Sequence, residues 1–478
     1  MTAQRIQFDE WLPDQPSVTS LRDANNVYPT SVGYAPLPNA EDFSGNSGEN
    51  LNSVFGAKYG NEVAIFAGGA NAIYKLNATD LSLEDASKTG GYSGVNWHFV
   101  QFGNIIIGAN NQSKLQGYNI ITSSEFADLS ADAPIAKYVA IVRDFVVTAN
   151  LENDTVSNPQ MVRWSDINDE TNWVSGTTSQ SDFQILPDGG NITGITGGEF
   201  GLVFLDKAIV RMTYAGSPLF FQFDTISRGL GCINGNSIAQ YGATSFFLSD
   251  DGFYQCDGQA VTGIGTEKVD RYFFDNCDLT QIDSMSAAVD PIKKLVVWNY
   301  ANVDGGRSML VYNWQLNKWS RGTTLTTGVG SITTTGYTLE GLEAVLGYNN
   351  IDSIPASLDD RLWIGGKFLF AGFKDEKIVT FTGSTYNSEL ITPDIEVGYN
   401  SVATLVRPQI DNGSATIKVA SRRQLDDNIQ FGTTATTSEE GRANIRSAGR
   451  YHRFSVTPTG NWTNAISIDV DLKPQGSR

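Results

Sequence analysis

Short apolar runs recur along the chain, each four to six residues long, rich in β-branched and aromatic side chains and closed by Gly, Asn or Asp. Val63-Ala-Ile-Phe-Ala67 leads through Gly68-Gly-Ala-Asn71 into Ala72-Ile-Tyr-Lys-Leu76. Trp97–Phe102 turns at Gly103-Asn104 into Ile105–Gly108, and Tyr138–Val142 turns at Arg143-Asp144 into Phe145–Thr148. The strongest runs centre near residues 65, 106, 146, 203, 247, 297 and 369, and the first two gaps match the length of one propeller blade. Central strands of a blade are covered on both faces, which explains continuous runs such as Ile105-Ile-Ile107. The pattern predicts an all-β chain with a β-propeller of six or seven blades over residues 61–385. A pair of long sandwiches or stacked barrels is the alternative. The Thr- and Gly-rich stretch Gly322–Asn350 fits no blade, and Arg361-Leu-Trp-Ile364 reads as a strand of the last group.

The two ends differ from this middle. Residues 1–60 carry Pro13, Pro16, Pro29, Pro36 and Pro38, then Ser44-Gly-Asn-Ser-Gly48. Proline at that density opposes central strands and predicts an extended N-terminal arm lying over another surface. Residues 386–478 return to strict alternation in Ala415–Ala420, Tyr451–Val456 and Ala465–Leu472. Period two means antiparallel strands with one buried face, and with Val402–Ile410 added it predicts a small C-terminal β-sandwich.

Charge sharpens this division. The 478 residues carry a formal net charge of −19, with only 18% charged residues and 48 glycines. Residues 1–392 hold 43 acids and 23 bases, whereas residues 393–478 hold 9 acids and 10 bases. Acidity therefore belongs to the body of the chain, where it opposes a grip on nucleic-acid phosphates. Cys232, Cys256 and Cys277 are too few and too scattered for a disulfide framework and read as reduced thiols. The first ten residues lack the apolar stretch of a secretory signal, and no apolar run reaches the roughly 18 residues of a membrane span. Membrane insertion is therefore not expected.

The search for chemistry returns little. His98 lies between Trp97 and Phe99 and His452 between Tyr451 and Arg453, both in strand patterns that suit structural histidines. The cysteines have no C-x-x-C spacing, so no zinc site is expected. Asp250-Asp-Gly252, Asp304-Gly-Gly306 and Asp359-Asp360 lack the alternating oxygen ligands of a calcium loop and read as hairpin turns. Gly365-Gly-Lys367 is not a phosphate-binding loop, because the upstream glycine and the following Ser or Thr are missing. Ser249-Asp-Asp-Gly252 resembles the Asp-box of sialidase propellers without its spacing or trailing Trp. No catalytic constellation emerges, and the expectation is a non-enzymatic protein without cofactor or metal.

Several segments carry a resemblance in chain order. They are Phe8-Asp-Glu-Trp-Leu-Pro-Asp14, Ala24–Pro29, Gly33-Tyr-Ala-Pro36, Ile141–Val147, Arg163-Trp-Ser-Asp-Ile-Asn168, Arg228-Gly-Leu-Gly231 and Gly449-Arg-Tyr-His-Arg-Phe454. Together the chain is similar to the tail hub or nozzle proteins of short-tailed bacteriophages, also called packaged-DNA stabilisation proteins. Ala35 departs from the basic residue expected at its place. The resemblance implies a propeller subunit of a hexameric ring below the portal and adaptor, contacting tail fibre or other tail proteins. That ring would sit in the virion tail after assembly in the bacterial host cytoplasm, retain packaged DNA and pass it on ejection. Carboxylates of residues 1–392 would then line a lumen that DNA crosses without binding.

Trp11 and Tyr28 are the expected interface anchors of the arm, and Arg446 and Arg450, with Arg442 and Arg453, are candidates to meet an acidic neighbour. Deleting residues 1–45 is accordingly expected to weaken ring assembly more than folding, the alternative being an arm packed on its own propeller. Two other functional classes stay open: a carbohydrate-binding or glycan-hydrolysing propeller, and a host scaffold propeller.

Overall fold

The structure, a computed structural model, describes residues 3–60, 62–334, 367–432 and 434–475. Each apolar run that dominates the sequence becomes the second strand of a four-stranded antiparallel blade. The third blade shows why. Its strands Tyr138–Val142, Phe145–Leu151, Asn158–Trp164 and Asp182–Ile185 run outward from the propeller axis. Every residue of Phe145–Leu151 is buried, because neighbouring blades cover both of its faces, whereas Phe183 to Ile185 on the outer edge are exposed. Arg143, at φ 53°, begins the tight turn that joins its first two strands.

Six such sheets stand by themselves: residues 51–85, 98–128, 138–185, 192–228, 239–263, and a last one built from 328–333 and 368–380 with residues 41–42. A seventh four-stranded meander, Ser286–Asp290, Leu295–Ala301, Arg307–Asn313 and Lys318–Thr324, lies between the fifth of these and the last. The propeller of six or seven blades read from the sequence is thus the fold. The inner strands of the last and first blades approach very closely. A Cβ on Gly56 would stand 2.5 Å from the Thr333 nitrogen, so only glycine fits there. The run Arg361–Ile364 lies outside the described residues.

The arm needs correction. It is a set of short strands paired within its own chain, the alternative reading, and the propeller begins before residue 61, since Leu51–Tyr59 is the inner strand of the first blade. Glu41–Asp42 forms the outer strand of the last blade, with Asp42 opposite Val379 and Glu41 opposite Thr380. Asp23–Asn25 pairs in parallel with the meander at Arg321 and antiparallel with Glu389–Ile391. Ala3–Gln7 pairs along Ala465–Pro474. Prolines are accommodated because these strands are short and give few ladder bonds.

The C-terminal module follows the predicted alternation. Strand Ala443–Thr459 pairs with Ile395–Ile410 along its first half and with Ser414–Arg422 along its second, so one bent strand serves both layers. Ala415, Ile417, Val419, Phe454, Val456, Ile468 and Val470 fill the space between. Through Asp23–Asn25 and Glu389–Ile391 this module is hydrogen-bonded into one sheet with the Ser286–Thr324 meander. Its core continues into Trp298 and Trp319 of that blade. The fifth blade, this meander and the C-terminal module therefore share one hydrophobic cluster, while the other blades pack in clusters of their own.

Candidate functional site

Trp11 is 1% exposed and meets Tyr272 edge-on at 5.1 Å between ring centres. It is packed into the core of its own chain, so it fixes the segment to this protein rather than to a neighbour. Tyr28 lies in the hairpin Val27–Pro29/Tyr34–Pro36, half-buried, with the Lys293 ammonium 5.3 Å from its ring centre. Arg446 is exposed, and among the described residues it makes no ion pair. Arg450 is exposed but pairs with Glu396, its Nε donating at 2.8 Å. Arg442 pairs with Glu440 and Arg453 with Asp394, so three of the four arginines are partnered within the chain.

The propeller axis holds a cavity of about 380 Å³ lined by inner-strand residues of successive blades, among them Phe55, His98, Tyr138 and Ile195. Phe55 stacks on Phe99 at 6.0 Å across two blades. His98 faces this space, and burial pushes its pKa down to about 4, leaving a neutral ring that accepts the Val139 N–H at 3.5 Å. One mouth of the channel is rich in asparagine. Asn150 Nδ2 donates to Ile192 O at 2.8 Å, Asn153 Nδ2 to Asn111 O at 2.8 Å, and Asn236 Nδ2 to Asp283 O at 3.0 Å. Each bond joins one blade to the next, so the amides act as staples between blades.

His452 is fully buried, with Ser401 Oγ 2.8 Å from Nε2 and Ser421 Oγ 2.7 Å from Nδ1. Both ring nitrogens are used to tie the strands on either side of its own. The three cysteines are free and buried, and burial raises Cys232 and Cys277 to about 11, which keeps them as unreactive thiols. Among the described residues no group of three or more His, Cys, Asp or Glu is placed to hold a metal ion. None of their helices is long and apolar enough to cross a membrane.

The Ser249–Gly252 turn gains a partner that its sequence does not announce. Asp270 opens the short helix Asp270–Asn276, and its Oδ1 accepts the Phe253 N–H at 3.0 Å. The carboxylate rests directly on glycine: a Cβ at Gly252 or Gly265 would come within 2.2 or 1.9 Å of it. Burial raises the Asp270 pKa to about 6, opposed by the Phe253 N–H and assisted by the charges of Asp14 and Asp251. A carboxyl with a raised folded pKa holds its proton more tightly folded than unfolded. Stability therefore falls as pH rises from about 4 to about 6, and the deficit is complete above that window. Asp270→Asn keeps the acceptor for Phe253 and is expected to add about 1–2 kcal/mol at pH 7.5 and to flatten this dependence. Urea titrations at pH 4.5 and 7.5 check it; a variant that retains the wild-type slope refutes the assignment.

No family model and no curated protein matches this sequence. Among solved structures, a chain from the crystal structure of the mitotic checkpoint complex is similar over 64% of this chain and 90% of its own, at 10% identity and a TM-score of 0.38.

Proposed function

We propose that this protein is a non-enzymatic structural subunit of the tail hub or nozzle of a short-tailed bacteriophage, one copy of a hexameric ring through which DNA passes. The observation that carries the reading is the partition of charge within one continuous body. Residues 1–392, the N-terminal segment and the propeller together, carry net −20 and are joined through one continuous sheet to a near-neutral C-terminal module. Acidic surface repels DNA phosphates, whereas a basic wall would bind them and release counterions with each contact. Sheet continuity between the two parts suits a subunit that transmits load between a portal-side and a tip-side partner. The sequence resemblance supplies the tail context, the adaptor and fibre partners, and the virion location.

Native mass spectrometry and negative-stain imaging of the purified chain, alone and mixed with a portal–adaptor assembly, test this. Six-copy rings with an acidic lumen are expected. A chain that stays monomeric in both conditions, or a ring with a neutral or basic lumen, overturns the proposal.

A further inference from the structure

A cavity of about 760 Å³ opens where the N-terminal segment meets the C-terminal module, bounded by Gln4–Gln7, Val18–Thr19, Arg22 and Pro393–Glu396. Its wall carries Arg5 and Arg22 together with Asp9, Asp394 and Glu396. Asp394 on its wall is held by two arginines behind it: Arg453 through Nε at 3.2 Å and Nη2 at 2.6 Å, and Arg422 through Nη2 at 2.6 Å. Burial pushes the Asp394 pKa up, but the hydrogen bonds and charges of Arg453 and Arg422 outweigh it and hold the carboxyl below its ordinary range. Its negative charge is thus already shared by two cations when Arg22 arrives as a third.

Arg22 receives nothing in return. Its side chain has no hydrogen-bond partner among the described residues, and Nη1 is enclosed without an acceptor. Burial lowers its pKa, and repulsion from Arg453 and Arg422 adds to that against the pull of Asp394. The remaining charges on the cavity are committed or distant in role. Arg5 donates to both oxygens of Asp469 at 2.8 and 3.0 Å, Glu396 is paired with Arg450, and Asp9 is exposed to solvent. Nη1 is closed to the cavity, so a ligand there would meet the other guanidinium nitrogens, and an anion beside them offsets a third cation set against an already shared carboxylate. The planar fork of arginine matches a carboxylate or phosphate edge, which two parallel N–H donors can grip.

We propose that this cavity is a binding site for a small oxyanion, a phosphate or carboxylate group, held by Arg22 beside the Arg422–Asp394–Arg453 cluster. All of the residues that bound the cavity come from one chain.

Isothermal titration of the full-length protein with inorganic phosphate and with citrate, against chloride at matched ionic strength, tests the site and separates the two chemistries. Saturable one-to-one binding to at least one of them is expected. Arg22→Lys, which loses the fork, should bind at least ten-fold more weakly, and Arg22→Met should not bind. Arg22→Met also removes an uncompensated charge, so in chloride it should unfold at the same or higher urea concentration than wild type. The proposal is overturned if neither anion binds beyond the chloride control, if Arg22→Met binds like wild type, or if that variant is destabilised in chloride.

Discussion

Replacing Trp11 with alanine is expected to lower the stability of the protein by about 3–5 kcal/mol, the range for emptying a buried aromatic site. The indole belongs to one cluster that joins the fifth blade and the Ser286–Thr324 meander to the C-terminal module, so no single element can collapse into the space it leaves. Its neighbours add to the effect. Lys268 Nζ donates to Glu10 at 2.8 Å, and the two carboxylate oxygens of Asp14 accept the N–H groups of Arg271 and Tyr272, both at 2.8 Å. Trp11 holds this stretch of backbone in place, and its removal loosens those bonds together. Trp11→Phe, which keeps an aromatic ring beside Tyr272, should cost about 1–2 kcal/mol. Urea unfolding followed by tryptophan fluorescence and circular dichroism measures both variants. An alanine variant with an unshifted transition would mean that the segment is not seated in the core. By the same reasoning, removing residues 3–45 is expected to prevent folding itself, because it deletes both the partner of Ala465–Pro474 and the outer strand of the last blade.

The second large effect is expected at Asp394. Truncation to alanine leaves Arg422, Arg453 and Arg22 facing one another without a counter-charge, and a loss of about 2–4 kcal/mol should follow. Concentrated salt should recover part of it by screening the repulsion, whereas the wild type should respond less. The carboxyl titrates below its usual range when folded, so its contribution is intact above about pH 4 and is lost as pH falls further. Acid titrations of the wild type and of Asp394→Ala should therefore converge at low pH. Parallel curves down to pH 2 would show that the cluster is not organised around this carboxylate.

The propeller was readable because each blade contains a strand buried on both faces, and such a strand must be a continuous apolar run whatever its neighbours are. Ile105–Ala109, Gly201–Leu205 and Leu295–Ala301 all show it. The C-terminal strands were readable for the opposite reason, since burial on one face writes period two into Ser414–Arg422. The N-terminal strands were not. Asp23–Asn25 and Glu41–Asp42 span three and two residues, too short to show any period, and their partners lie hundreds of residues away. Proline in this region signals departure from regular strands, and it cannot say whether the departing chain packs at home or on a neighbour.

The same distinction explains the site residues. Arg453 stood out as a cation in search of an acid, yet its partner Asp394 is 59 residues away, and nothing local marks Arg22 as a further member of the cluster. Nothing in the sequence marks Asp270, because its environment is made by two glycines, Gly252 and Gly265, whose contribution is the absence of a side chain.

The closure of the last blade by Glu41–Asp42 also sets an order of events at the ribosome. Asp42 cannot pair with Val379 until some 337 further residues have been made. At about 5–20 residues per second, that is a wait of roughly 20–70 s. Throughout it the blades already synthesised have no lock, and the N-terminal strands have no sheet to join. Contacts so far apart in the chain favour slow folding and exposed strand edges while it lasts. Expression at reduced temperature or with co-produced chaperones should accordingly raise the soluble yield of this protein more than that of a propeller whose closing strands are neighbours in sequence.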